Sequence, residues 1–499
     1  MLSSRQKLRL TSIASLSLQL VTLICGFILP RMYLTYYGSA VNGLAASVTQ
    51  FLSFIALAEC GVGAVVRSAF YKPLAESDNN KLSIIVASSE KFFRKIAFLL
   101  ILYVMVLVCV YPFFVKETFD YIYSATLVVI MSISFFAQYY FGMTSRLLLA
   151  SDQYGFIFLT IQIFSLILNF IISLILMHLG ASFHLVRLAA SVIFVVQPVA
   201  VYVYVKKKYS IDRTVKPQKD AIPQKWNGFA QHLAAIVLTS SGVVILSVGA
   251  PISLVSVFSV YSLVVMGVKN LVDSATSGVQ AYFGNLYAQN KIDELKDAFS
   301  KFQWQMHSLV TIVFLLTAVL ITPFVSVYTK NITDANYIVP IFGMLFSAAW
   351  GMYCYRLIYN IIILAIGHYR QTQNSAFVEA VLNIFISLVA FIFWGLEGIA
   401  LGVFIAMVYR TIYLAKYITK EIFREKHFFW VKYFIVDVVV LLLFGGCQIL
   451  LKNVFIVNVV DNFFDWSFLA LKNGALVVLL SFIINIFIFK KNVFHFYKS

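Results

Sequence analysis

Apolar residues fill this chain in blocks about as long as a bilayer is thick, separated by short polar breaks. An α-helix rises about 1.5 Å per residue, so roughly 20 apolar residues cross a hydrocarbon core about 30 Å deep. Read between breaks, the pattern predicts fourteen spans, at 10–30, 41–66, 92–114, 121–149, 154–178, 182–205, 227–249, 253–285, 304–328, 337–366, 372–394, 397–419, 430–450 and 467–489. The predicted fold class is an all-α integral membrane protein with about 14 transmembrane helices. The basic N-terminus "MLSSRQKLRL" precedes a run, Leu10 to Leu29, that exceeds a signal-peptide core and ends in no small-residue cleavage site. It is expected to remain as the first span.

Composition agrees: 61% of the 499 residues are hydrophobic and 12% are charged, whereas soluble domains are nearer half and a quarter. The net charge of +17 is explained by its distribution. Alternating the loops between two sides puts most of the 38 Lys and Arg on one side. That side holds the N-terminus, the segment Arg67–Lys95, Arg146, the loop "KKKYSIDRTVKPQKDAIPQK", Lys291–Lys301, Arg370, Arg410–Lys432 and the C-terminal lysines. The other side holds Arg31, Lys116, Lys330, Lys452 and Lys472, and Arg187, Lys269 and Arg356 fall within spans. Cytoplasmic loops carry the Lys/Arg excess, so both termini are expected in the cytoplasm. The basic loops also favour contact with anionic lipid. No nucleic-acid partner is implied, and the short outer loops leave no room for a catalytic domain.

The chain repeats itself. "LNFIISLI" (168–175) returns as "LNIFISLV" (382–389), "LLLASDQY" (147–154) as "IILAIGHY" (362–369), and Leu74 of "YKPLAESDNNKL" matches Leu286 of "GNLYAQNKIDEL". The offsets of 214, 215 and 212 residues each enclose an even number of spans, which implies parallel repeats related by an axis along the membrane normal. The expected organisation is a six-helix lobe over 1–205, a basic cytoplasmic linker over 206–226, a second six-helix lobe over 227–420, and two further helices with a cytoplasmic tail over 421–499. A cavity between two such lobes opens to either side by rocking.

Charges inside spans cost at least about 2.5–3.5 kcal/mol each on insertion scales and mark function or pairing. In span eight, Lys269, Asp273, Thr276 and Gln280 follow at steps of four, three and four, one stripe on one helix face. This is either a mutually neutralised pair or a polar cavity lining. Glu59 occupies the matching place in span two, suggesting that Glu59 and Lys269 approach across the cavity, or that Glu59 takes up a proton or cation. Gly61 and Gly63 would permit close helix approach. Arg356 in "GMYCYRLIYN" has the bidentate geometry that suits a diphosphate, or else pairs with a carboxylate. Arg67 is an interface anchor or part of an inner gate, and Arg31 has the same ambiguity outside. Glu379, Glu397 and Asp437 are weaker candidate ion sites. His178, His184 and His368 lie near span ends. The five cysteines, Cys25, Cys60, Cys109, Cys354 and Cys447, are isolated in apolar segments and read as packing residues. There is no P-loop, HExxH or CxxC, so no catalytic or metal site is predicted. Asp461 and Asp465 read as solvated loop acids.

The stretch "YYGSAVNGLAASVTQFLSFIALAECGVGAVVRSAFYKPLAESD", with "LLLASDQYGFI" and "IILAIGHYRQTQ" at the ends of spans four and ten, resembles bacterial polysaccharide-biosynthesis (Wzx-like) oligosaccharide flippases. These belong to the multidrug/oligosaccharidyl-lipid/polysaccharide exporter superfamily, and the resemblance covers roughly residues 5–490. It implies alternating access that moves an undecaprenyl-diphosphate-linked sugar chain from the inner to the outer leaflet of the bacterial cytoplasmic membrane. It implies a transporter, not an enzyme, with no cofactor and a proton or sodium gradient where coupled. The implied partners are the lipid-linked oligosaccharide, membrane lipids, and a glycan polymerase and glycosyltransferases of the same assembly line. The family's cavity cations fall here on Lys269 and Arg67, with Arg31 a looser match. No cation lies between Leu10 and Leu29, a departure from the arginines that lipid II flippases carry in their first helix. A lipid II flippase or a multidrug/cation antiporter is the nearest alternative. A membrane-embedded glycosyltransferase or polymerase is the alternative of another class.

Overall fold

A computed structural model of the chain describes residues 4–59, 62–218, 229–276, 279–425, 430–450 and 460–489. Among these residues the structure is helical and contains no strand. Its helices are α1 (Ser4–Ser53), α2 (Val62–Glu76), α3 (Asn79–Phe114), α4 (Tyr121–Ala137), α5 (Met143–Ser151), α6 (Gly155–His178), α7 (Phe183–Lys208), α8 (Phe229–Gly249), α9 (Ile252–Ala275), α10 (Val279–Ala288), α11 (Ile292–Tyr328), α12 (Pro340–Ala365), α13 (Tyr369–Tyr417), α14 (Val431–Leu450) and α15 (Phe463–Ile488). Among the described residues eleven stretches are long and apolar enough to cross a membrane, and Leu233–Gly249 is a shorter apolar helix. Two of the eleven, Arg9–Glu59 and Arg370–Ile422, each cover most of two predicted spans, so the described residues of all fourteen predicted spans are mainly helical.

Both double-length helices break at glycine. Gly38 in α1 has φ 81° and ψ 175°, and Gly395 in α13 has φ 55° and ψ −125°. Only glycine adopts such angles without a Cβ clash. Beyond Gly395 the chain reverses, and a Cβ on Gly398 or Gly402 would land on the backbone of Ala390 or Ser387. The two halves of α13 can therefore touch backbone to backbone only because those positions are glycine. Other ends use ordinary chemistry. Asp78 caps α3 through Lys81 N at 3.0 Å, Asn462 caps α15 at 2.9 Å to both Phe464 N and Asp465 N, and Pro340 opens α12, where a missing N–H costs nothing.

The chain divides into two compact units, one of Met1–Ile236 with Val243–Ser256, the other of Val237–Gly242 with Val257–Ser499. In the first, α1 packs on α6, α6 on α7, α3 and α7 on α4, and α2 on α3 and α5. Asn42 Nδ2 donates to Ser256 Oγ at 2.7 Å and Ser47 pairs with Ser247 at 2.6 Å, both buried. The start of the basic linker is docked, not free: Asp212 N and Gln218 N donate to Ser83 and Ser88 of α3 at 3.0 Å, and Arg213 pairs with Glu90. In the second unit, α12 packs on both α11 and α13, and α14 and α15 pack on α11. Tyr433, Val436, Val440, Phe444, Val477 and Ile484 form a core there with Trp304, Leu315 and Val319 of α11.

The duplication is visible in local structure. Asn169 and Asn383 are both buried, and each accepts from the serine four residues on, Ser173 or Ser387, at 3.3 Å. The turn before α6 has Gln153 at φ 60° and Tyr154 N donating to Leu149 O; the turn before α13 has Gly367 at φ 79° and His368 N donating to Ile363 O. The turn before α3 has Ser77 at φ 54°, and the one before α11 has Asn290 at φ 56°. Residue for residue these registers are 214 and 213, correcting the sequence offsets of 215 and 212 by one. Letter matching in apolar sequence slides easily; a positive-φ residue marks its place without ambiguity.

Candidate functional site

Span eight is not one helix. Thr276 N and Oγ1 both donate to Asp273 O, at 3.1 and 2.7 Å, so the regular i−4 pattern ends at Ala275 and α10 starts at Val279. Gln280 therefore lies beyond a break and does not continue the Lys269–Asp273 stripe. Lys269 Nζ meets Asp273 Oδ2 at 2.5 Å, with Asn270 Oδ1 at 3.5 Å. Asp273 Oδ1 is buried and accepts no hydrogen bond.

Of the two readings open for Arg356, a diphosphate-facing cation or a partner for a carboxylate, the structure shows the pairing: Arg356 Nη1 meets Glu379 Oε1 of α13. A second guanidinium approaches the same carboxylate: Arg410 Nε is 3.7 Å from Glu379 Oε2. Arg410 also donates to Thr372 O at 3.1 Å and Ser375 Oγ at 2.5 Å. Glu379 and Arg410 are each 1% exposed. Sequence analysis placed Arg410 in a basic loop; the structure places it inside α13. The two guanidiniums outnumber the carboxylate, so the cluster carries one net positive charge. Tyr353 joins it to span eight, with Lys269 Nζ 5.0 Å and Arg356 Cζ 4.5 Å from its ring centroid. Lys269, Asp273, Tyr353, Arg356, Glu379 and Arg410 thus form one chain of charge and aromatic contacts in the second unit.

A second buried polar group lies beside it. Gln303, His307 and Thr311 stand at steps of four on α11. His307 Nδ1 meets Asp437 Oδ2 and Thr311 Oγ1 donates to Asp437 Oδ1, both at 2.5 Å; Thr311 also pairs with Tyr355 OH at 2.7 Å. Asp437 was a weak candidate ion site and is held by these partners. His307 was missed, although the polar i, i+4, i+8 stripe in "QWQMHSLVT" was the signal for it. Thr311, Tyr355 and Asp437, with Thr322 and Gln448, are the polar part of the lining of a mostly apolar cavity of about 600 Å³ among α11, α12 and α14.

In the first unit, Glu59 sits on a single 3₁₀ turn, Phe54–Glu59, between α1 and α2. A Cβ on Gly63 would lie 2.7 Å from Glu59 Oε1. Gly63 thus makes room for this carboxylate, not for a neighbouring helix. Arg146 and Tyr139 lie within its electrostatic reach. Arg67 is exposed on α2, and its carbonyl accepts from Ser151 Oγ at 3.1 Å. Glu59 and Arg67 belong to the first unit and Lys269 to the second. Cys60 and Gly61 lie outside the described residues. Asp465, in the first turn of α15, accepts from Asp461 N at 3.4 Å, a terminus contact. Among the described residues no group of three or more His, Cys, Asp or Glu is placed to hold a metal ion.

No protein-family model and no curated protein sequence matches the chain. Solved structures do. One, titled lipid II flippase MurJ in an inward closed conformation, matches at TM-score 0.66 and 15% identity over 97% of this chain and 99% of that one. An inward-facing multidrug-resistance MATE transporter of the MOP superfamily matches at 0.58 and 14%, over 81% of this chain and 94% of that one. A MOP-superfamily transporter from Pyrococcus furiosus, whose title notes a binding pocket of reversed polarity, matches at 0.55 and 12%, over 84% and 96%. The chain is a multi-pass membrane protein with the all-helical fold that these flippase and transporter structures share.

Proposed function

We propose that the protein is a flippase that moves a polyprenyl-diphosphate-linked oligosaccharide from the cytoplasmic to the outer leaflet, with both termini in the cytoplasm and alternating access as its mechanism. The observation that carries this reading is the cationic chain Lys269–Tyr353–Arg356–Arg410, fully buried at Arg410 and half-buried at the other three. A cation kept in a membrane protein at an insertion cost of about 2.5–3.5 kcal/mol needs a use, and a diphosphate supplies two adjacent anionic groups for it. Glu379 and Asp273 balance part of that charge without a substrate, leaving the net positive charge for the ligand. A drug antiporter selecting organic cations would require the opposite sign. The extent of the structural likeness supports the same side: the lipid II flippase is matched over 97% of this chain, α14 and α15 included, and the MATE transporter over 81%. The apolar cavity between α11, α12 and α14 suits an isoprenoid chain beside the diphosphate.

The test is reconstitution in liposomes with a polyprenyl-diphosphate glycan and measurement of its exposure to an external glycan-modifying reagent. The expected result is exposure well above that of empty liposomes, reduced at least tenfold by Lys269→Met. No translocation of any polyprenyl-diphosphate glycan, or export of organic cations instead, would overturn the reading. The same assay with lipid II separates the lipid II flippase alternative, which the coverage of that match favours.

A further inference from the structure

The first unit contains a polar pocket of about 230 Å³ between α4–α5, α6 and α7, lined among others by Gln138, Arg146, Gln162 and Gln197, with Phe135, Phe158 and Phe194. No ion pair or side-chain hydrogen bond reaches those three carboxamides or that guanidinium among the described residues; the Arg146 guanidinium only stacks on Phe158, 4.5 Å from its centroid. Side chains of this polarity in a membrane helix are ordinarily paired, because hydrocarbon offers no partner. Here four of them, from three helices, converge on open space. A turn of π-helix at Gln138–Gly142 lets α4 continue into α5 while shifting its face, a distortion frequent at functional sites.

The repeat sharpens this. At an offset of 214, Gly142 corresponds to Arg356, Gln162 to Ala376 and Gln197 to Thr411, next to Arg410. The same three-helix junction in the second unit is filled by Arg356, Glu379 and Arg410, and the cations have their carboxylate. In the first unit the positions of those three charges are held by Gly142, Ser165 and Val196; the pocket instead brings one cation, Arg146, together with three carboxamides, and among the described residues no ion pair to a carboxylate reaches it. Glu59 lies within electrostatic reach of Arg146. We propose that this pocket binds an anionic sugar residue, a pyranose bearing a carboxylate or a phosphate, whose charge takes the part that Glu379 plays in the second unit. The proposal rests on the glycan-flippase reading and names the substrate class: a glycan with an acidic residue. The chemistry fits. Carboxamides and a guanidinium serve ring hydroxyls and the acid, the phenyl rings serve the apolar sugar face, and the volume is below the roughly 300–1,000 Å³ of a drug-sized site.

The test uses the full-length protein in nanodiscs of zwitterionic lipid, titrated with glucuronate, glucose 6-phosphate and glucose and read by saturation-transfer NMR. At least one acidic probe is expected to bind tenfold or more tightly than glucose. Arg146→Gln should reduce that preference below threefold, Arg146→Lys should retain part of it, and Gln162→Leu should weaken all three probes, each with an unchanged thermal midpoint. Which acidic probe wins identifies the carboxylate or the phosphate. Equal binding of the three probes, or an acidic preference that survives Arg146→Gln, overturns the proposal. So does displacement of the probes by anionic phosphatidylglycerol in the nanodisc, which would make the pocket a lipid-headgroup site. Glycan translocation measured in liposomes with the same protein reports separately on the flippase reading, so an inactive protein that still binds acidic sugar would sink only that reading.

Discussion

Replacing Glu379 by Gln should be among the most damaging single changes in the second unit. The substitution keeps the volume and removes one negative charge from between two guanidiniums. Arg410 Nε lies 3.7 Å from the carboxylate and is 1% exposed. At an effective dielectric of about 20 one such contact amounts to roughly 4 kcal/mol of attraction, and the hydrogen-bonded contact to Arg356 adds to it. Part of this offsets the desolvation of the three groups, so the pair's net worth in the native protein is far smaller. Removing one partner does not return that desolvation, however. It leaves the buried Arg410 and the half-buried Arg356 facing each other without their carboxylate, and the expected loss is about 3–5 kcal/mol. The assay is equilibrium unfolding in mixed micelles, following tryptophan fluorescence as denaturing detergent is titrated. A compensating change, Glu379→Gln with Arg410→Met, should recover at least half of the loss by removing the unpaired charge. A Glu379→Gln protein within about 0.5 kcal/mol of the parent would refute the reasoning, because the cluster would then be hydrated and screened rather than buried.

Two further outcomes follow from the geometry. Gly402→Ala should destabilise the protein by about 2 kcal/mol or more and lower its folded yield, since the added Cβ meets the Ser387 backbone, which cannot rotate away; Gly445→Ala on α14, with open space around it, should be near neutral in the same measurement. His307→Ala should cost about 2–4 kcal/mol in micelle unfolding by leaving Asp437 buried with fewer partners, and His307→Ala with Asp437→Leu should recover much of it.

What hydropathy could say, it said well. The described residues of the fourteen apolar runs are mainly helical because a bilayer admits no unpaired backbone, and only length and apolarity are needed to meet that condition. The duplication was equally legible, through "LNFIISLI" and its copy, because Asn169 and Asn383 must each satisfy an amide inside a helix and do so with the same serine spacing. Two of the three offsets were off by one residue, since apolar letters are interchangeable and only the positive-φ turn residues are not.

The charges divide differently. That Lys269, Asp273, Arg356 and Glu59 are exceptional follows from one-dimensional data, because the cost of a charge in hydrocarbon depends only on its depth. Lys269 and Asp273, four residues apart, could be paired by helix geometry alone, and they are. Which partner Arg356 takes could not. Glu379 is 23 residues away and Arg410 another 31, and they meet only because α13 reverses at Gly395 and its halves close on Gly398 and Gly402. The same holds for His307 and Asp437, 130 residues apart, and for the three carboxamides gathered around Arg146. Hydrophobic length is a property of each segment taken singly, whereas electrostatic pairing and open space are properties of how segments pack, so the spans were written in the order of residues and the sites only in their folding together.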